Sequence, residues 1–241
     1  MRTTIPSNAV KIDYINVLNH FISLLAERQK DNIRCIYLSG SYARGDAIDI
    51  SDLDVFCIFN ALTVDVLQDV GFAARHMAVP YEQLEINAQC LSFAELTNDD
   101  FKNWAEKPAR ILDSVLVYGE DIFGNDISIM ELRSIYKRYF TDILMGIRHY
   151  LCVDEPVEKL THKKIKTYIL KPLMFPLRME RCCVCGTFPL TLQDLKNSLR
   201  ENDRFIIDYF LDETSFNEAI HQNHTEVLNK IYDVIMRKLQ S

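Results

Sequence analysis

Two aspartates stand two residues apart in the stretch "YLSGSYARGDAIDISDLDVFCIF", residues 37–59. In a strand, residues i and i+2 share a face. Asp52 and Asp54 therefore present both carboxylates together at the mouth of the apolar run "LDVFCIF", while Leu53 points the opposite way, towards a core. Two like charges this close repel each other, and without a cation between them one should titrate high. Hard oxygen ligands so placed suit Mg²⁺, which is usually held by one or two carboxylates plus substrate phosphates. Upstream, Gly40 lets the backbone pass close to a ligand, and Ser41 offers a hydroxyl and an N–H to phosphate oxygens. Arg44 adds a charge-assisted contact for the same phosphates.

These parts suit transfer of a nucleotidyl group, where positioning and metal electrostatics carry most of the catalysis. "GSYARGDAIDISDLDV" resembles the signature of the DNA polymerase β-like nucleotidyltransferase superfamily: Gly-Ser, about ten residues, then Asp-x-Asp. The resemblance implies that Gly40 and Ser41 hold the triphosphate tail and that Asp52 and Asp54 ligate Mg²⁺, with ATP as co-substrate. Such chemistry wants a base, or a further metal ligand, near the attacking hydroxyl. "QLEINAQ" supplies Glu85 between Leu84 and Ile86. It resembles the acid-bearing strand of the aminoglycoside adenylyltransferases, in which that acid is the base for the drug hydroxyl. Glu82 lies three residues away and faces the other side of a regular strand, so Glu85 is the expected catalytic acid.

The elements that must position these residues are legible as patterns. Residues 10–29 carry Ile12, Ile15, Leu18, Phe21, Ile22 and Leu25 on one helical face, with Asn32 as a stop. "IRCIYL" (33–38) and "LDVFCIF" (53–59) read as buried strands, 63–77 as a helix, and 81–93 as a third strand. Residues 101–124 read as a helix broken near Pro108, a short strand and a Gly-containing exit, which places a domain boundary near 125. From 129 onward four helix-length segments follow, at 127–153, 159–186, 191–213 and 216–240, with Thr191 and Asp194 spaced as a capping box. The expected class is α+β: a small mixed-sheet nucleotidyltransferase domain (1–125) followed by an α-helical bundle (126–241), which the resemblance implies closes the cleft and supplies acceptor contacts. The layout looks like that of the aminoglycoside nucleotidyltransferases.

Other features bound the partners. The 241 residues are 48% hydrophobic and 25% charged, with a net charge of −7, which argues against a broad nucleic-acid surface. The seven cysteines, at 35, 57, 90, 152, 182, 183 and 185, read as reduced thiols of a cytoplasmic protein. No run approaches ~18 apolar residues, so no membrane partner is expected. "RCCVCG" (181–186) has no answering ligand pair and reads as helix-end packing rather than a zinc site. "THKKIKTYILKPLMFPLR" concentrates Lys163, Lys164, Lys166, Lys171 and Arg178; a partly buried Lys171 is the candidate nucleotide contact, beside the plainer reading of a solvated basic face. Tyr139, Asp142 and Trp104 are candidates for meeting a cationic or sugar-like acceptor, with packing as the alternative.

The resemblance thus implies an enzyme that moves AMP from Mg-ATP to a small-molecule hydroxyl, with antibiotic-like acceptors leading, acting as monomer or homodimer. Two alternatives stand beside it. One is a toxin–antitoxin-type adenylyltransferase acting on a partner protein. The other is a degenerate nucleotide-binding module, against which the retained Gly-Ser, both aspartates and a third acid argue.

Overall fold

The computed structural model describes residues 4–8, 10–11, 13–48, 51–76, 84–98, 107–124, 127–154 and 160–240. The chain divides into two compact units, Met1–Ile127 and Ser128–Ser241. It combines a four-stranded mixed sheet, confined to the first unit, with helices throughout.

In the first unit, helix α1 (Tyr14–Gln29) starts where the Asp13 side chain accepts the Asn16 N–H. Its buried face is Tyr14, Val17, Leu18, Phe21 and Leu25, which keeps Leu18, Phe21 and Leu25 of the expected stripe but leaves Ile15 exposed. The spacing 14, 17, 18, 21, 25 is the truer helical stripe, and Ile15 falls off its edge. Ile12 lies outside the described residues. Asn32 then ties the α1 exit to the end of β2: its Nδ2 donates to the Ala61 carbonyl and its Oδ1 accepts the Ala61 N–H.

Strands β1 (Ile33–Leu38), β2 (Leu53–Phe59), β3 (Ile86–Ser92) and β4 (Val115–Gly119) pair in the order β3-β2-β1-β4. β1 is antiparallel to β2 and β4, and β2 is parallel to β3. Leu53, Val55, Cys57 and Phe59 face a core built with α1 and α3 (Val64–Arg75). Phe56 and Ile58 face a smaller core containing Tyr37, Leu91, Ile111 and Phe123. Because β2 is buried on both faces, its sequence is a nearly unbroken apolar run, and each large side chain so buried contributes about 1.5–3 kcal/mol.

Of the expected third strand, Ile86–Ser92 is strand, Leu84, Glu85 and Phe93 are not, and residues 81–83 lie outside the described residues. Ser92 and Glu95 form a capping box that turns β3 directly into the short helix α4 (Phe93–Thr97). Pro108 falls in the first turn of α5 (Lys107–Asp113), where its missing N–H has no partner to lose; the helix expected before it lies outside the described residues. Past β4, the Tyr37 hydroxyl donates to Asp121 and accepts the Ile122 N–H, pinning the "GEDIFG" exit to β1.

Every regular element among the described residues of the second unit is a helix. Ser128 caps α6 (Ile129–His149), whose Leu132, Ile135, Tyr136, Phe140, Ile143, Leu144 and Ile147 form one buried stripe. α7 (His162–Ile165) runs through a π-helical turn at Lys166–Leu170 into α8 (Lys171–Cys185). The widened turn sits just before Pro172, where a proline ring would otherwise press on the preceding turn's carbonyls. Thr191 and Asp194 make the expected capping box of α9 (Leu192–Ser198). The third expected helix is broken after Ser198, resuming as α10 (Phe205–Leu211), and α11 (Glu213–Gln240) is kinked at Asn223. Inside this unit Lys238 Nζ lies 3.1 Å from Glu180 Oε1 and 3.3 Å from Asp203 Oδ2, a buried charge cluster.

Candidate active site

The site grows from the end of β1. The Ser39 N–H donates to the Asp54 carbonyl at 2.9 Å, bringing the chain across β2 just as it turns. Gly40 takes φ +69° and opens the five-residue helix α2 (Gly40–Arg44), which Gly45 ends in the left-handed conformation. A Cβ at Gly40 would collide with Asp54 Oδ2, so glycine is required both by the backbone angle and by the carboxylate beside it. The first-turn amides of Gly40 and Ser41 have no intrahelical acceptor, and the helix they open packs on the strand that carries Asp54.

Asp54 is half-buried in β2, and Asp52 immediately precedes that strand on the same face. Burial, together with the charge of Asp52, pushes the Asp54 carboxyl up to about 6, opposed by a hydrogen bond that Asn87 Nδ2 donates to Asp54 Oδ1 at 2.9 Å. Burial is the larger cause, and the charge of the neighbouring carboxylate adds to it. Asn87 is the β3 register partner of Asp54, as Ile86 is of Leu53. Carried back one residue, the register sets Glu85 level with Asp52; Glu85 is exposed, and its carbonyl accepts the Leu53 N–H at 2.8 Å. Among the described residues no group of three or more His, Cys, Asp or Glu side chains converges on a metal position. Glu85 is therefore not gathered with the aspartates as a third ligand. Glu82 lies outside the described residues.

Arg44 sits differently from its expected role. Its Nε lies 3.2 Å from Asp46 and its NH1 2.8 Å from Asp113, with 14% of the side chain exposed. Burial works against the charge, but the two carboxylates more than offset it and raise the guanidinium's pKa. Arg44 clamps α2 to the end of α5 instead of standing free for phosphates. On the same sheet face Arg110 of α5 donates to Gln89 at 2.7 Å and lies over the Phe56 ring.

The basic tract of the second unit disperses. Lys171 is exposed at the start of α8, not partly buried, because the helix turns the neighbouring Leu170, Leu173 and Met174 inward instead. Arg178 is buried, donating to the carbonyls of Pro189 and Leu190. Lys166 meets Glu213. Tyr139 packs edge-on against Phe175, Asp142 is exposed, and Trp104 lies outside the described residues. Cys182, Cys183 and Cys185 end α8, closed by the left-handed Gly186. Asn87 was missed in the sequence, although its place two residues beyond Glu85, on the same strand face, was a usable signal.

The glycine turn after β1 and the paired aspartates leading into β2 thus meet at one end of the sheet. Residues 21–128, a little under half of the chain, match the family model described as polymerase beta, nucleotidyltransferase, which supports a nucleotidyltransferase. The fold is also that of the spectinomycin adenyltransferase AAD(9) from Enterococcus faecialis, solved with ATP and spectinomycin. The two align with a TM-score of 0.56 and 14% identity, over 94% of this chain and 99% of that one. No curated protein sequence matches the chain significantly. None of the helices among the described residues is long and apolar enough to cross a membrane.

Proposed function

We propose that this chain transfers AMP from Mg-ATP to a hydroxyl of a small molecule of the aminoglycoside or aminocyclitol class, releasing pyrophosphate. One observation carries the reading: Asp54, its carboxyl raised beside Asp52, lies directly under the glycine turn that opens α2. The structural relative, solved with ATP and spectinomycin, supports the choice of donor and acceptor class.

The residues present fit a divalent ion. Two hard carboxylates share one face, one of them is held at a raised pKa by burial and by their proximity, and the remaining coordination is left for phosphate oxygens and water. Asp52 and Asp54 would hold Mg²⁺, which would neutralise phosphate charge and polarise the α-phosphoryl group. The Gly40 and Ser41 amides and the Ser41 hydroxyl hold the β- and γ-phosphates. Glu85 accepts the proton of the acceptor hydroxyl as its oxygen bonds to the α-phosphorus. The bond from α-phosphorus to the bridging oxygen breaks, and pyrophosphate departs from the Gly40–Ser41 turn. Asn87 holds Asp54 Oδ1 in position. The helical second unit supplies acceptor contacts, with Lys171 as a nucleotide contact, in a cytoplasmic enzyme that confers antibiotic resistance.

The test is a mass-spectrometric transfer assay with Mg-ATP and pooled aminoglycosides, spectinomycin and lincosamides, reading both the small molecules and the protein for added AMP. An adenylylated drug that vanishes in Asp54→Asn is the expected result. For Glu85→Gln, turnover should fall far more than ATP affinity. Drug modification that persists in Asp54→Asn would remove the metal assignment, and AMP found only on protein would replace the small-molecule acceptor.

A further inference from the structure

Cys57 of β2 and Cys90 of β3 are register partners on adjacent parallel strands, on the sheet face that α3 covers. Neighbouring strands run about 4.7–4.9 Å apart, inside the roughly 4.4–6.8 Å Cα separation that a disulfide spans. The register sets the two residues side by side, and both thiols are reduced. They differ in access. Cys57 is wholly buried, whereas Cys90 is half-buried and lines a cavity of about 670 Å³ between α3 and β3. The other walls include Leu67, Val70, Ala74 and Ala88, with Arg75 bringing a cation to the same space. Arg75 folds back along α3 over Gly71, where a Cβ would lie 3.0 Å from its NH1.

We propose that Cys57 and Cys90 form a reversible dithiol–disulfide site, reached by small oxidants of the hydroperoxide class through the α3–β3 cavity, with Cys90 reacting first and Cys57 resolving. A partly accessible sulfur on a cavity that also holds a cation is a reactive arrangement for thiols. Interaction with Cys57 lowers the Cys90 pKa, while interaction with Cys90 and then burial raise that of Cys57. The Cys90 thiolate attacks one oxygen of hydrogen peroxide; the O–O bond breaks, a sulfenic acid forms, and the departing hydroxide takes a proton to become water. The Cys57 sulfur then attacks the sulfenic sulfur. The S–S bond forms, the S–O bond breaks, and the hydroxyl leaves with the Cys57 proton as a second water. Two electrons pass from the sulfurs to peroxide, and a thiol reductant reverses the bond.

The site does not depend on the proposed transfer reaction. The bond would join β2 to β3 three residues beyond the Asp54–Asn87 pair on each strand. The experiment treats the full chain with hydrogen peroxide, blocks remaining thiols with N-ethylmaleimide under denaturing conditions, and maps peptides by mass spectrometry without reduction. Expected is a linked pair of peptides containing Cys57 and Cys90 that separates with dithiothreitol. In Cys57→Ser, Cys90 should instead be trapped by dimedone as a sulfenic acid, and Ala74→Phe, which fills the cavity, should slow the reaction several-fold. Oxidation confined to the exposed Cys152 and Cys185, with Cys57 and Cys90 both recovered as maleimide adducts, would overturn the proposal.

Discussion

Asn87, on the edge strand β3, donates a 2.9 Å hydrogen bond to Oδ1 of Asp54 on the neighbouring strand β2. The contact exists because the parallel register sets the two residues side by side. It holds one carboxylate oxygen still and partly relieves the burial and like charge that raise that group. Outer partners of this kind fix the orientation of metal-binding carboxylates.

Asn87→Ala should therefore push the Asp54 carboxyl higher still. The acid limb of the pH–rate profile moves to higher pH, and the Mg²⁺ concentration at half-maximal turnover rises about tenfold. Titration of turnover with Mg²⁺ at several pH values checks both. If neither the limb nor the midpoint moves, the contact is incidental to the chemistry.

Gly40→Ala meets two obstacles at once, a positive φ and the Asp54 carboxylate in the space its methyl needs. The backbone strain costs about 1–2 kcal/mol, and the carboxylate must move aside. A displacement near 1 Å at a reacting centre costs roughly 100-fold in rate, so kcat should drop on that scale while the fold survives. Steady-state kinetics beside circular dichroism would separate this from unfolding; a near-normal kcat would show that Asp54 has room to shift without harm.

Asp54→Asn should stabilise the metal-free protein as it abolishes turnover. The folded-state carboxyl stands at about 6 against an ordinary 3.8. For an acid raised on folding, the native state binds more protons between those values, so its stability contribution is full below about 3.8 and is lost as pH rises through about 6. Asparagine, which never ionises, escapes that loss. Discounted for partial exposure, the gain at pH 8 is about 1–2 kcal/mol and vanishes near pH 4. Urea unfolding of both proteins in EDTA across this range measures it, and an unchanged or lower midpoint at pH 8 would contradict the repulsion.

Arg44→Met leaves Asp46 and Asp113 without their shared cation in a site only about a tenth exposed. Removing one partner from such a cluster costs about 3 kcal/mol, so the unfolding midpoint should drop clearly. The KM for ATP, measured well below that midpoint, should change little. The opposite pattern, intact stability with a sharply raised KM, would return Arg44 to the phosphates.

Chain order and local chemistry determined much of this protein. β1 and β2 are legible because strands buried on both faces cannot avoid unbroken apolar runs, and Asp52 and Asp54 share a face because side chains alternate along β2. The 3.6-residue period marks the helices of the second unit, and Thr191 announces its own cap through Asp194. Tertiary structure decided which groups meet. Asn87 reaches Asp54 only through the register of two strands separated by a helix, and nothing local specifies that register. Arg44 is spent on Asp113, 69 residues away, and Arg178 goes inside to carbonyls while Lys171 stays in water. A charge's role depends on which partner wins it after folding, and that competition among distant residues leaves no periodic trace along the chain.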